Sequence, residues 1–469
     1  MRRLSLILLG FLLVFSALAC NISGGNVNTA IAEGKSAATQ GLVVLTEAAK
    51  TIAAVGTEGA STLPVGGGPV DTETGAVTPT PSVALTITQT VAPSPTSAPH
   101  LRVVYISGGN PWIVEPPAAP VQLSAVGSVY RVYLSDDGAK VVYARYPSLS
   151  APAEIRVVNT DGSGDHTLLT PAQVGALEAP GGALYVDIST MGWITNTHRM
   201  LLNMRGQFEG PGLSLYDDLF LLDADSGAIT PLLAAGSGGN AVPSPDGTKM
   251  AIARATSVSL ARIDASDMLP NVITFPVVLT YSEYAFYPAI VWAADSSRFG
   301  AIIPSPEPLG PSPSAAIWSV DASTGAPSLL ATISNFRYGV LSPTLDRIGF
   351  VRPGADSSTD ITYVSTLDES SSLHLATGAA GFYSFAPDGQ HFAYFIGSSS
   401  LKVYIGSLGG GTVLVPGSLV RMGRWINNSQ FVYILGPNAS RTLQLGDVGG
   451  GSTLIATPTG DQTDYDAKD

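Results

Sequence analysis

The chain has 469 residues, of which 51 are glycine and 34 proline while only 13% carry charge, so its length points to two or three domains or one repeat array rather than a single compact core. Its formal charge of −13 disfavours nucleic acid and anionic headgroups as partners, because phosphate binding runs on Lys and Arg contacts. One cysteine, Cys20, leaves no disulfide within the chain, and plentiful Gly and Pro with few charges suit many short strands better than a helical bundle.

Residues 1–19 hold Arg2 and Arg3, then the 16-residue apolar run "LSLILLGFLLVFSALA". That run is too short to span a hydrocarbon core of about 30 Å comfortably, and the small residue Ala19 marks a cleavage point, so the segment reads as a removable export signal. "SALAC" resembles the lipobox of bacterial lipoproteins, with Ala17 and Leu18 in the reverse of the commonest order. The resemblance implies thioether lipidation of Cys20 and acylation of its new amino group. Several acyl chains, each gaining about 0.8 kcal/mol per buried CH₂, make a stable membrane anchor. Loss of Arg2 and Arg3 with the signal takes the formal charge from −13 to −15.

Residues 20–100 form the link between anchor and body. Leu42, Leu45, Ala49 and Ile52 recur at helical spacing over two turns and predict one short helix, which either docks on a partner or packs on nothing. The stretch that follows, "GGGPVDTETGAVTPTPSVALTITQTVAPSPTSAPH", is Thr, Pro, Ser and Gly with almost no aromatic residues. It cannot bury enough surface to fold and reads as a disordered tether. At about 3.1 Å per residue in polyproline II, roughly forty such residues would hold a domain up to about 100 Å from the membrane.

From residue 101 one corner recurs. "PSPDGTKMAIAR" (243–254) carries Ser244, Pro245, Asp246 and Gly247, the residue set of a type I turn closed by a left-handed glycine between antiparallel strands. The same register returns from Leu134, Trp193, Trp292, Leu341 and Phe385, and in a copy one residue shorter from Trp425. The first apolar residues after the turns, Val141, Met200, Met250, Phe299, Ile348, Phe392 and Phe431, lie 59, 50, 49, 49, 44 and 39 residues apart. A second strand pair follows each corner, giving four strands per unit, and strands such as "VVYA" and "FAYF" show the continuous apolar character of strands covered on both faces. Period and strand count belong to propeller blades.

At these residues the chain resembles the TolB-like β-propeller repeat, an aromatic or apolar residue followed by Ser-Pro-Asp-Gly, two polar residues and a strand. Only the copy at 244 holds the whole tetrapeptide; Asp-Gly survives at 137 and 388, and the glycine slot elsewhere holds Thr197, Ser296, Leu345 or Asn428. Leu345 at positive φ would be strained, which predicts a different turn at that corner. The fold expected is all-β, a propeller of four-stranded blades over residues 101–469. An incomplete unit at 101–124 lacks an inner strand that the C-terminal "TDYDAKD" can supply, so eight blades are preferred, with seven as the alternative.

Few residues suggest chemistry. His100, His166, His198, His374 and His391 are scattered in sequence, no zinc spacing or G-x-S-x-G elbow occurs, and no cofactor is expected. Asp223, Asp225 and Gly227 superficially resemble a calcium loop but lack the later ligands, and a plain turn is favoured. Arg145, Arg254 and Arg352 share one slot, four residues beyond the first strand residue, and Arg205 follows one residue later. In TolB-like propellers this slot flanks the loops at the channel mouth, so the four are candidates for a basic rim receiving an anionic ligand or a partner's carboxylates. The bland alternative is strand-end arginines paired with Asp or Glu or simply solvated. Phe208 and Tyr284, in long aromatic connections, are candidate recognition residues, while Tyr287 reads as loop packing.

These features together predict an exported lipoprotein, at the periplasmic or outer face, whose propeller is a non-enzymatic binding scaffold for proteins or envelope polymers, with the membrane as partner through Cys20. The alternatives are a small-ligand sensor or solute-binding lipoprotein, and a propeller enzyme of lyase or lactonase type.

Overall fold

The structure, a computed structural model, describes residues 101–469 apart from 149–150, 178–184, 208–212, 216, 282–283, 355–358, 398–400, 416, 418, 437–439 and 463; at 185, 207, 213–215, 280–281, 284 and 419–422 it describes the backbone alone. The signal, Cys20, the helix around Leu42–Ile52, the tether and Phe208 lie outside the described residues, and so does the side chain of Tyr284.

The repeated corner is held by the residues that define it. Ser244 Oγ accepts the Lys249 N–H at 3.0 Å, Asp246 Oδ1 accepts the Thr248 N–H at 3.0 Å, and Gly247 sits at φ 69°. At Ser135 and Asp137 the same two bonds recur, from Lys140 N at 2.9 Å and Ala139 N at 3.0 Å. Serine thus caps the start of the second strand and aspartate closes the turn, which is the local reason serine returns at 135, 244 and 342 and aspartate at 137, 246, 295 and 388. Gly247 is further restricted by its neighbour, because a Cβ there would lie 2.7 Å from Thr195 O.

The Leu345 corner departs from expectation. Leu345 stands at φ 58° and still closes the ordinary turn, its N–H donating to Ser342 O at 2.9 Å. Its side chain is buried in a cluster with Leu341, Ile348 and Phe350. Burying a leucine gains about 1.5–3 kcal/mol, enough to offset a left-handed residue costing roughly 1–2 kcal/mol.

Eight sheets, here blades 1 to 8, form a propeller ring; seven have four strands, and in blade 3 the short strand Leu213–Leu215 also pairs with the second strand and makes a fifth. Blade 2 is typical: Val129–Leu134, Lys140–Arg145, Glu154–Asn159 and His166–Leu169 pair in order from the inner to the outer edge. Blades 3 to 8 repeat the pattern over 185–233, 240–274, 290–334, 338–377, 380–414 and 419–456. Second strands such as Lys140–Arg145 and Gln430–Leu435 have four consecutive buried residues, as strands sandwiched between neighbouring sheets must. The cores accordingly lie between blades: Val104 and Ile106 of blade 1 pack with Val132, Leu134 and Val141 of blade 2.

Blade 1 closes the ring. Its inner strand is Tyr465–Lys468, paired antiparallel to Arg102–Ser107 with Val103 opposite Ala467; Asn110–Val114 and Val121–Gln122 complete it. The eight-bladed expectation and the closing role of the C-terminus both hold. A helix, α1 (Pro171–Leu177), precedes blade 3 and buries Val174. Thr170 and Gln173 cap it reciprocally, Gln173 N to Thr170 Oγ1 at 3.3 Å and Thr170 N to Gln173 Oε1 at 2.9 Å.

Candidate functional site

Each blade has two ends. The corners and the hairpins between third and fourth strands lie at one, and the loops between second and third strands lie at the other with the inter-blade connections.

At the corner end the blades are stapled by a series of cations. The slot just before the first apolar strand residue holds Arg102, Lys140, Arg199, Lys249, Arg298 and Arg347 in blades 1 to 6. Arg102 Nη1 donates to Gly138 O of blade 2 at 2.9 Å, Lys140 Nζ reaches Asp225 Oδ1 of blade 3 at 3.0 Å, Lys249 Nζ donates to Ala322 O of blade 5, and Arg298 Nη2 to Thr344 O of blade 6 at 3.4 Å. His198 joins this end, its Nε2 2.9 Å from Asp137 of blade 2 and its Nδ1 3.0 Å from Asp225 of its own blade. Partial burial pulls the imidazole down, but hydrogen bonds and charge from Asp137 and Asp225 outweigh it and hold His198 above its ordinary pKa. Arg199 and Arg347 pair instead with Asp223 and Asp346 of their own blades. The slot was as legible in register as the one occupied by Arg145, Arg254 and Arg352; what sequence hid was that four of its six cations reach the next blade.

At the loop end the four arginines of the expected rim are each engaged with a partner of their own. Arg145 Nη1 is 3.1 Å from Glu154 Oε2, on the third strand of its blade. Arg254 Nη2 donates to Asn271 Oδ1, on the outer strand, at 2.9 Å. Arg352 pairs with Glu369, donates through Nε to Ser334 O of blade 5 at 3.2 Å, and lies over the Phe350 ring with its Cζ 5.0 Å from the centroid. Arg205 alone turns to an inner strand, its Nη2 3.6 Å from the buried Asp187. Asp187 also accepts the hydroxyl of Tyr146, which stacks on Tyr130 at a centroid distance of 4.3 Å.

Tyr287 also does more than fill space. Its hydroxyl donates to Asp217 Oδ1 at 2.8 Å. Burial pushes the Asp217 carboxyl up to about 6, against the pull of the Tyr287 hydrogen bond and the Arg254 charge.

Among the described residues no group of three or more His, Cys, Asp or Glu converges as a metal set. The Asp223 loop is a turn: Asp223 Oδ1 accepts the N–H groups of Asp225 at 3.1 Å and Ser226 at 2.9 Å.

Sheet order, blade count and closure define an eight-bladed β-propeller. No family model matches the chain, and no curated protein sequence matches it. It is similar to solved structures that include a eukaryotic initiation factor (9% identity, TM-score 0.47, covering 78% of this chain and 98% of that one). Others are dipeptidyl peptidase 4 of Porphyromonas gingivalis (13%, 0.46, 72% and 54%) and oligogalacturonate lyase of Vibrio parahaemolyticus (11%, 0.40, 76% and 85%). The chain thus spans about half the length of that peptidase. Likeness at this level shows the propeller fold alone. One expectation is corrected: solved propellers similar to this chain include a peptidase and a lyase, so the lack of a hydrolase elbow or a histidine cluster does not mark a non-enzyme.

Proposed function

We propose that this chain is an exported lipoprotein, anchored through Cys20, whose TolB-like propeller stands off the membrane on residues 20–100 and binds a protein or an envelope polymer at its loop end and axis. The distribution of loop length carries the reading. Corners such as 135–139 are tight, while the opposite end gathers long connections at 170–184, 208–218 and 275–289, and loops on a rigid scaffold are where recognition concentrates. The acidic composition further suits a partner other than nucleic acid.

The anchor is tested by detergent-phase partitioning. Wild-type chain is expected in the detergent phase and Cys20→Ser in the aqueous phase, with acyl chains on the Cys20 peptide by mass spectrometry. Wild-type chain in the aqueous phase overturns the anchor. In-cell crosslinking from residues of the 208–218 connection, set against corner residues, then tests the loop end; adducts from the corners alone would oppose it.

A further inference from the structure

Among the described residues most exposed large apolar side chains lie along fourth strands, but Leu309 stands at the loop end of blade 5 and, at 72%, is the most exposed of them. Its loop, 305–313, joins the strands Arg298–Pro304 and Ser314–Asp321 and reads "SPEPLGPSP". Pro308 and Gly310 take the second and fourth places of a turn closed by the Gly310 N–H on Glu307 O at 3.1 Å. At the base of the loop Ser305 N–H donates to Ser314 O at 2.7 Å, and Pro313 O accepts Phe336 N–H at 2.9 Å. Four prolines in nine residues and a closed base fix the loop before any contact is made, so presenting Leu309 to a partner costs little entropy.

A matching hollow lies on blade 3. The helix α1 buries Val174 and ends at Leu177. Beside that end the outer strand Ile229–Leu233 carries a proline and a bulge: Leu232 stands unpaired between Pro231, opposite Phe220, and Leu233, opposite Leu219. Helix end and strand border a groove of about 380 Å³, walled by Leu177, Phe220, Ile229, Leu232 and Leu233 and lined by no polar side chain. Pockets of that size hold small apolar groups.

The occupant is a second copy of the chain for three reasons. Apart from Glu307 neither surface carries a charge, whereas the chain has a formal charge of −13, so two copies repelled through most of their faces can meet here. Blade 4 stands between loop and groove, and one copy therefore cannot fill its own groove. The loop also lacks the cations and aromatic residues that hold a segment at a lipid surface.

We infer that the Leu309 loop of one copy inserts into the groove between α1 and the outer strand of blade 3 on a second copy. Loop and groove are different surfaces, so the contact is head-to-tail and links copies in a row unless the rotation closes a ring. One short loop in one groove buries less than the roughly 1,200 Å² of a stable interface, and the contact is weak and populated where copies are crowded. It uses neither the anchor nor the partner of the proposed function.

The test is disulfide capture of the full-length chain in the cells that make it, with a mild thiol oxidant added. One tagged copy carries Leu309→Cys and a differently tagged copy carries Leu232→Cys; wild type, with Cys20 alone, sets the background. The mixed dimer should exceed by about tenfold that of Leu309→Cys with Leu454→Cys, a fully accessible site on the outer strand of blade 8, because only the docked pair is held within bonding distance. Neither substitution alone should give a dimer. Both in one chain should give a ladder of dimers, trimers and longer species, the mark of a contact that does not close on two copies. Dimers of Leu309→Cys with itself, equal capture at Leu454→Cys, a disulfide within one chain, or no mixed dimer would each overturn the assignment.

Discussion

Asp217 shows how a single side chain can set a pH dependence that its sequence neighbours do not announce. It stands at φ 50° with its carboxyl beside the Tyr287 hydroxyl, and burial raises it to about 6. A carboxyl whose folded pKa exceeds its unfolded value, near 4, holds its proton more tightly in the folded state, so stability falls as pH rises from about 4 through about 6. Asp217→Asn keeps an acceptor for Tyr287 and abolishes the titration. The variant is expected to match wild type near pH 4 and to exceed it at pH 8 by on the order of 1–3 kcal/mol, read by urea unfolding at the two values. A variant advantage equal at both pH values would mean that the carboxyl is not strained by burial. Nothing in "SLYDDLFLL" tells Asp217 from a solvated loop aspartate, because its partner lies 70 residues away. Leu345 was opaque for a similar reason: its left-handed backbone was legible as strain, but the cluster that receives its side chain comes partly from blade 5.

Between residues and the ring stand the elements, and what was legible there was period rather than contact. Spacing of Val141, Met200, Met250, Phe299 and their successors gave the strand order within each blade, because a corner of defined residue types fixes where a hairpin begins. Which cations would reach the adjacent blade was not legible, since alternation assigns a face but not a neighbour. The helix α1 left its trace in Thr170-Pro171-Ala172-Gln173, a capping box with proline at the first turn, a short signal set among strand periodicity on either side. Among the inter-blade links, His198 has a measurable signature. Its pKa is raised, so its stabilising contribution is present at low pH and lost as pH climbs through the folded value. The carboxyls of Asp137 and Asp225 lie below their ordinary range, burial being outweighed by hydrogen bonds from Ser135 and Ala139 on the first and Lys140 on the second, with His198 on both. Their contribution is present above about 4 and fades as pH falls through the lowered values. The link therefore acts from roughly pH 4 to somewhat above 6.5. His198→Gln should lower the melting temperature at pH 6 and converge on wild type at pH 9. Its cost at pH 6 should stay within about 1 kcal/mol, because both carboxylates are more than half exposed.

At the scale of the whole molecule the decisive joint is the one that pairs the chain's C-terminus with the start of the propeller. Tyr465–Lys468 is four residues long but is fastened on both sides. Tyr465 donates its hydroxyl to Val432 O of blade 8 at 2.8 Å, and Arg424 of that blade pairs with Asp466. Toward blade 2, Asp464 Oδ2 accepts Val132 N–H at 2.9 Å, Asp466 Oδ2 accepts Leu134 N–H at 3.0 Å, and Lys468 pairs with Asp136. Removing residues 465–469 would strip Arg102–Ser107 of its inner partner, expose the Tyr465 and Ala467 sites, and leave Arg424 without its carboxylate. Buried tyrosine surface at about 1.5–3 kcal/mol and several hydrogen bonds at about 1 kcal/mol apiece put the loss on the order of 5 kcal/mol. It should also appear in shape: one calorimetric transition should become broad or split as blades 1, 2 and 8 open ahead of the others. The freed edge should promote association between copies. Comparison with Val448→Ala, on an outer hairpin of blade 8, separates closure from simple loss of packing. A truncated chain that still melts in one sharp transition, within about 1 kcal/mol of wild type, would show that the ring is held shut elsewhere.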